Sequence, residues 1–462
     1  MNNSSTTTHP VAAWIGLDWA DHQHALSLQD SQGGRVEHYQ VEQAQLGEWV
    51  AGLQARWPGR IIAIALEQSR GAVLYTLMSF PFLQIYPINP KSLARFREAF
   101  APSGSKDDPQ DADLLRELMQ KHADRLRPWK PDTVETRQLQ LLVEYRRQNV
   151  DQRTRLTNQA TSLLKCYYPV ALQCAGGLDT VQAAEFLQRW PTLEALQKTT
   201  PGRLRQFYRR HGCRREELIQ QRLELIGQAQ PLTTDPAIVL SLSLQLRTVV
   251  AQLQALIPCI KDFDTQIAAV MAQHPDHAIM ESFPGAGPAL APRLVAAFGT
   301  DRSRFARAQD IQKLSGIAPV TVKSGHSCWV HRRWACPKFL LQTFHEYARL
   351  SRPQSVWAEA FYQRKRAEGK KHHAAIRALA YQWIRIMYRC WQDRTRYDEA
   401  RYQQACRQRQ LRRLIAAVTP PSATPAASGK GQTGLVPVST LLAQVLDELR
   451  QPAPCGKPVQ SR

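Results

Sequence analysis

An α/β domain followed by a largely α-helical remainder is the fold class that the sequence predicts, and two observations predict it. In the first hundred or so residues, short apolar or alternating runs are separated by turn residues and helical stretches. From about Val134 the character changes to long helical periodicity, including a heptad seam. Three meandering strands followed by helix-separated strands imply a mixed sheet.

The elements follow in order. Residues 12–18 (AAWIGLD), 25–29 (ALSLQ) and 36–41 (VEHYQV) read as strands, with Asp30 and Gly33-Gly34 as hairpin connections. A helix is expected from about Glu42 to Arg56, then a buried strand at 61–66 (IIAIAL), another helix, and a strand at 83–88 (LQIYPI). Further on, Leu242, Leu246, Val249, Leu253, Leu256, Ile260, Phe263 and Ile267 recur at alternating spacings of four and three. Pro258 falls inside this seam and is expected to kink or divide the helix. The seam closes either on residues 135–166 of the same chain or on a second copy as a dimerising coiled coil. A compact helical domain is expected from about Ala278 to Arg401. Residues 418–437, rich in Pro, Ala, Ser and Gly, read as a linker before an amphipathic helix at 438–450. The domain boundaries so drawn are 1–133, 134–277, 278–410 and 411–462.

A chain of 462 residues accommodates two or three domains. Its 60 Lys and Arg against 39 acids give a net charge of +21, which points to a polyphosphate partner. A solvated basic surface, or a ribosome-associated helper, is the blander reading. The nine scattered cysteines form no closely spaced framework, which argues against a disulfide-stapled secreted domain. The polar residues 1–10 are no secretory signal, and no apolar run is read as approaching the ~18 residues that span a bilayer. A cytoplasmic protein with no membrane partner is expected.

Four acids stand out. Asp18 closes one strand run (WIGLD) and Glu67 closes another (IIAIALE), and neighbouring strand ends bring such residues to one rim. Asp108 and Asp111 lie in SKDDPQDADLL, where Pro109 suits a first helical turn and a spacing of three puts both carboxylates on one face. Together they suit Mg²⁺ or Mn²⁺, as a pair of ions that clamp the attacking and leaving oxygens of a phosphoryl transfer. Taken singly each has a plainer reading: Asp108 as an N-cap, Asp111 as a first-turn dipole partner, Asp18 as the start of a turn. Asp107 is expected to point elsewhere.

In the C-terminal half, Gly285 and Gly287 sit between two helical signals in IMESFPGAGPALAPRLVA. This is either a helix–hairpin–helix offering backbone N–H groups to phosphate or a plain helix–helix turn. Downstream, VTVKSGHSCWVHRRWACPKFLL carries Ser324, a candidate nucleophile that needs activation or transition-state stabilisation near neutral pH. Lys323, His326, His331, Arg332 and Arg333 are placed to hold a phosphate there. The spacing of His326, Cys328, His331 and Cys336 is not a usual zinc pattern, so packing or a nucleic-acid-facing loop is preferred.

Over both signature regions the chain resembles the DEDD transposases of the one-ten/eleven-eleven group of bacterial insertion sequences, the bridge-RNA-guided recombinases. The first region runs from GLDWADHQHALSLQD through ALEQSRGAVLYTL and INPKSLARFREA to SKDDPQDADLL, and the second from ESFPGAGPALAPRLVAAFGTDRSRF onward through VTVKSG. The resemblance implies a RuvC/RNase H-like N-terminal domain with metal-binding acids at Asp18, Glu67, Asp108 and Asp111. It also implies that Ser324 forms a transient phosphoserine linkage with DNA. Dimers assembling into a tetramer, with serine and acids from different subunits, are implied as well. So is a non-coding bridge RNA that pairs with donor and target DNA, and nucleoid association when active. The chain departs from relatives after Ser-Gly, where ACPKFLL replaces a Gly-Asn-x-x-Leu-Arg signal, and in its tail after about 410. Two rival functions are a metal-dependent Holliday-junction-type nuclease with no serine chemistry and a non-catalytic nucleic-acid-binding relic.

Overall fold

The computed structural model describes residues 11–67, 70–100 and 108–418. The expected helix at 438–450 and Asp107 lie outside the described residues. The chain divides into two compact units, residues 1–131 and 132–462.

The first unit is built on a five-stranded mixed sheet of order β3-β2-β1-β4-β5. Its strands are β1 (Ala13–Asp18), β2 (Gln23–Asp30), β3 (Glu37–Glu42), β4 (Ile62–Leu66) and β5 (Leu83–Pro87). The first three run antiparallel to one another, whereas β1, β4 and β5 are parallel. All five strands fall where the apolar runs place them. The inner strands are buried on both faces and read as near-continuous apolar runs, as central parallel strands must. Helices α1 (Leu46–Arg56) and α2 (Ala72–Leu77) cover the face formed by Ala13, Ile15, Leu17, Ile62, Ile64 and Leu66. Helices α3 (Pro90–Phe100) and α4 (Asp108–His122) contribute Leu93, Leu115, Leu118 and Met119 to the opposite face, against Ala63, Ala65 and Tyr86.

The second unit is mostly helical. Helix α5 (Val134–Tyr167) leads into five short helices, α6 (Ala171–Cys174), α7 (Val181–Arg189), α8 (Leu193–Gln197), α9 (Pro201–Arg210) and α10 (Glu216–Gln228). Helix α11 (Pro236–Gln273) then runs back along α5. The pairing is antiparallel: Leu156, Ala160 and Leu164 share a core with Leu246, Val249 and Leu253, whereas Leu139 and Val143 share one with Ile267 and Met271. Arg146 and Asp264 form an ion pair across the hairpin. Seam residues Leu246, Val249, Leu253, Ile260 and Ile267 are therefore buried within a single chain. Of the two outcomes expected at Pro258, a kink or a division, division does not occur: α11 continues through it. Pro258 is exposed, and the buried side chains on either side, Leu253, Ile257 and Ile260, hold both flanks of the helix in place. By length and composition α11 is also apolar enough to cross a membrane, which corrects the expectation that no run nears that length.

Beyond α11 come α12 (His277–Glu281), α13 (Gly287–Phe298) and α14 (Ala308–Leu314), then a two-stranded hairpin, β6 (Val320–Ser324) and β7 (Ser327–His331). Four further helices follow: α15 (Lys338–Ser351), α16 (Val356–Ala367), α17 (His372–Asp393) and α18 (Glu399–Val418). Their core gathers Phe283, Phe298, Phe344, Tyr347, Trp357, Trp383 and Trp391. The hairpin is the element that a purely helical reading of this region misses. Its alternating Val320, Val322 and then Trp329 carry the period-two signal.

Candidate active site

The acids of the first unit are positioned by strand register. Strands β1 and β4 pair in parallel with Leu17 beside Leu66, so Asp18, the last residue of β1, and Glu67, the first beyond β4, lie at the same end of the sheet. Pleating puts alternate residues on one face. Trp14, Gly16 and Asp18 form one row, and Ala63 and Ala65, continued by Glu67, form the next; both rows face α4. The helix lies close because residue 16 is glycine. A β-carbon there would overlap the Ala112 carbonyl oxygen and stand 2.6 Å from the Arg116 nitrogen. The backbone of Asp108 opens this helix and Asp111 lies one turn further on, 2% exposed.

Arg97 of α3 bonds Asp111 Oδ1 through Nε at 2.8 Å and through a second guanidinium nitrogen at 2.5 Å. Asp18 is also buried, at 8% exposure, and Glu67 is half-buried. Buried carboxylates need positive charge nearby, and an all-oxygen donor set suits hard divalent ions rather than zinc or copper. The donor chemistry of Asp18, Glu67 and Asp111 therefore fits Mg²⁺ or Mn²⁺. Among the described residues, no group of three or more His, Cys, Asp or Glu is placed so that it could hold a metal ion as it stands, so Asp18, Glu67 and Asp111 share a rim without forming a metal cage.

Sequence reading missed the network beside this rim. Ser27 of β2 donates to Asp113 Oδ1 at 2.5 Å, and His38 Nε2 of β3 lies 3.0 and 3.1 Å from the two Asp113 oxygens. Arg116 Nε donates to the Ser27 hydroxyl at 2.8 Å, and the Arg116 guanidinium also reaches Gln29 Oε1 at 2.9 Å. Burial alone would raise the Asp113 carboxyl, but the Ser27, His38 and Arg116 bonds outweigh it and hold it below the usual Asp range. The network ties α4 to the antiparallel half of the sheet. Its one sequence signal is that Ser27 and His38 are cross-strand partners.

In the second unit, Ser324 ends β6 at the tip of the hairpin. Ser324 pairs with Ser327, which leaves Gly325-His326 as a two-residue connection. Gly325 has φ +53° and His326 does not enter the positive-φ region, as a type II′ turn requires. The Ser327 hydroxyl donates to the Ser324 carbonyl at 2.9 Å. Cross-strand partners share a face, so Ser324, Ser327, Val322, Trp329 and Val320 lie together, and Lys323 lies on the other side with Cys328. Arg332 and Arg333 follow β7 directly, and the Arg332 guanidinium stacks 3.7 Å above the Trp334 ring.

A group of cationic side chains gathers around Arg377. Burial, then the Arg332 charge, lower the Arg377 guanidinium from its ordinary range. His345 is pushed down to about 4, first by burial and then by His373, Arg377 and His372. His373 Nδ1 lies 3.4 Å from His345 Nε2, and His372 Nδ1 lies 2.8 Å from the Tyr362 hydroxyl.

The glycine pair divides in two. Gly285 packs its α-carbon against α15, where a β-carbon would stand 3.0 Å from the Leu350 carbonyl oxygen, whereas an added β-carbon at Gly287 meets nothing within 4 Å. Helix α13, which Gly287 opens, is buried from Leu290 to Phe298 and includes Arg293, bonded to Thr343 Oγ1 at 3.0 Å and Glu346 Oε2 at 2.6 Å. Gly285 thus has a packing role in the core of this unit.

Comparison with known proteins bears on both regions. Residues 15–169 match a family model described as a transposase, of the DEDD type named for IS110, and residues 277–363 match one described as transposase IS116/IS110/IS902 family. The two together take in more than half of the chain. The chain is 29% identical over 405 residues to the mini-circle putative transposase for IS117 of Streptomyces coelicolor, covering 85% of this chain and 96% of that protein. It is 26% identical over 406 residues to the IS110 uncharacterized 43.6 kDa protein of the same organism, with 85% and 96% covered. It is 25% identical over 399 residues to the IS900 uncharacterized 42 kDa protein of Mycobacterium paratuberculosis, with 85% and 98% covered. With the family's two regions matched in order along the chain, the first over the sheet unit and α5 and the second within the helical unit, the chain belongs to the IS110 group of insertion-sequence transposases.

Proposed function

We propose that this transposase cuts and rejoins donor and target DNA through a phosphoserine–DNA intermediate formed by Ser324. Its acids Asp18, Glu67, Asp108 and Asp111 act as the ligands of two Mg²⁺ or Mn²⁺ ions. The observation that carries the reading is the rim: Asp18 and Glu67 end adjacent parallel strands on the face where α4 begins. The 3-2-1-4-5 sheet, antiparallel then parallel, is the order that a RuvC/RNase H-like domain requires. A glycine turn ahead of α13 is all that speaks for a helix–hairpin–helix element.

In this reading Ser324 Oγ attacks a backbone phosphorus, forming a P–Oγ bond as one P–O bond to deoxyribose breaks. The serine proton passes to a base or solvent and the departing oxygen leaves as a hydroxyl. A hydroxyl of a second strand then attacks the same phosphorus and releases Ser324, so phosphodiester energy is conserved. Divalent ions at the acids would supply Lewis-acid stabilisation of the charge that develops on the phosphoryl oxygens. Arg332 and Arg333 hold the phosphate at the hairpin, and Lys323, on the other face, adds positive charge for the nucleic-acid backbone near its tip. A bridge RNA chooses the sequences by base pairing, and dimers joining into a tetramer bring acids and serine together.

The test incubates the protein with its element's candidate RNA, Mg²⁺ and labelled donor and target duplexes, then looks for a denaturant-resistant protein–DNA adduct. An adduct absent from Ser324→Ala supports the reading. Cleavage with no adduct, insensitive to that substitution, moves the protein to the metal-dependent nucleases.

A further inference from the structure

The hairpin face that carries Ser324 also carries an unusual exposed side chain. Trp329 is 65% exposed, on a strand whose residues are almost all solvent-facing. Ser324 pairs with Ser327, and Trp329 lies two residues beyond Ser327 on the same face. Ser324 and Trp329 are therefore diagonal neighbours, a relation that sets the two residues roughly 7–8 Å apart and their β-carbons somewhat closer. One side of the indole is taken by His331, with ring centroids 4.6 Å apart and planes inclined by 33°. The rest of the ring faces solvent; Arg332 and Arg333 follow its strand directly, and Lys323 lies on the opposite face of the hairpin.

A large apolar ring held open to water stabilises nothing by burial. Here Arg332 and Arg333 follow at the end of its strand, and the surroundings add more of one sign: Arg332 acts on Arg377, and Arg377 in turn acts on His345 together with His372 and His373. Positive charge concentrated around an open aromatic face is the combination that binds unpaired nucleotides, with the cations on the phosphates and a base on the ring.

We propose that Trp329 stacks on an unstacked base of the DNA strand next to the phosphate presented to Ser324, so that the hairpin takes hold of a nucleotide drawn out of the duplex. The inference rests on Ser324 as the attacking group and adds a strand-positioning residue to it. Stacking on Trp329, with His331 behind it, fixes the nucleotide. The arginines fix its backbone.

The experiment measures binding of the full-length protein to a fluorescein-labelled 20-nucleotide oligothymidylate, and to a duplex of equal length, by anisotropy over a range of KCl concentrations. Trp329→Ala should weaken oligothymidylate binding roughly five- to hundredfold. It should leave duplex binding and the salt slope unchanged, because stacking releases no counterions. Trp329→Phe should recover most of the loss. Arg332→Ala should instead flatten the salt slope. A 5-iodouracil-substituted oligonucleotide, irradiated in the complex, should cross-link to the peptide that contains Trp329. Wild-type binding by Trp329→Ala, with cross-links elsewhere, overturns the proposal. A change in sedimentation without a change in DNA binding also overturns it, and assigns the face to protein–protein contact. Ser324→Ala should bind and cross-link normally. If the adduct persists in that variant while Trp329 still cross-links, it is the nucleophile assignment that fails and the binding face that stands.

Discussion

A β-carbon on Gly16 would overlap the carbonyl oxygen of Ala112, so β1 and α4 meet backbone to backbone. Asp18 is two residues beyond that contact in the strand, and Asp111 is the residue before it in the helix. A single close approach therefore sets the distance between two of the candidate ligands.

Gly16→Ala is expected to force α4 away from the sheet. Overpacking of this kind costs about 1–3 kcal/mol, and the upper end applies because the atoms it meets are backbone and cannot rotate aside. Thermal unfolding should show a lowered Tm, and strand exchange should fall further than the loss of folded protein explains. A variant that keeps full activity at a temperature where it is folded would show that the close approach does not position the acids.

Arg97→Gln removes the guanidinium that holds Asp111. If Asp111 is a metal ligand, Arg97 competes with the ion for one carboxylate oxygen, and its removal should tighten Mn²⁺ binding several-fold on a Coulomb argument. Free Mn²⁺ measured by electron paramagnetic resonance reads this without any activity assay. Arg97→Lys should sit closer to wild type. Unchanged Mn²⁺ affinity in Arg97→Gln together with Asp111→Asn would remove Asp111 from the ligand set.

Much of this was legible because local pattern and tertiary role agree in the first unit. The runs ending in Asp18 and Glu67 are buried central strands, and such strands announce themselves as unbroken apolar segments. The Asp113–Ser27–His38–Arg116 network was not legible, since it joins residues up to 89 apart whose types are ordinary surface residues singly. Pro258 does not divide α11 because helix propensity is local, whereas α11 is held on both sides of it by α5. The serine hairpin escaped a helical reading because its strands are five residues long and exposed, so no buried run marks them. The sequence leaves Gly285 open between a phosphate-binding turn and a plain helix–helix turn, because its close packing against Leu350 joins residues far apart in the chain.

His345 gives a pH dependence of known sign. Its folded value, about 4, lies below the ordinary 6.5, so between those values the unfolded chain binds a proton that the folded chain does not. Stability should therefore fall as pH drops from about 6.5 to about 4 and level off below that. The loss from this half-buried residue is at most on the order of 3 kcal/mol, and less once solvent screening is allowed for. His345→Gln should flatten that part of the curve, measured as urea midpoints from pH 7 to pH 4. An unchanged pH profile would mean that the imidazole is not held neutral by its buried, cationic surroundings.

Gly325→Ala tests the geometry of the hairpin tip apart from its chemistry. Gly325 sits at φ +53°, where an L-residue costs roughly 1–2 kcal/mol, and an added β-carbon would meet no neighbouring atom. The strain has one local outlet, a change of turn type, which would re-aim Ser324 at the adjacent position. Because the hairpin is exposed and shares no core, global Tm should move by less than the strain implies. Adduct formation at Ser324 should drop by an order of magnitude or more, since about an ångström of misplacement at a reacting atom is worth up to about a hundredfold. Binding to oligothymidylate should stay near wild type, because Trp329 is on the far side of the Ser324–Ser327 pair from the turn. Equal adduct yields in Gly325→Ala and wild type would show that the serine is not aimed by this turn.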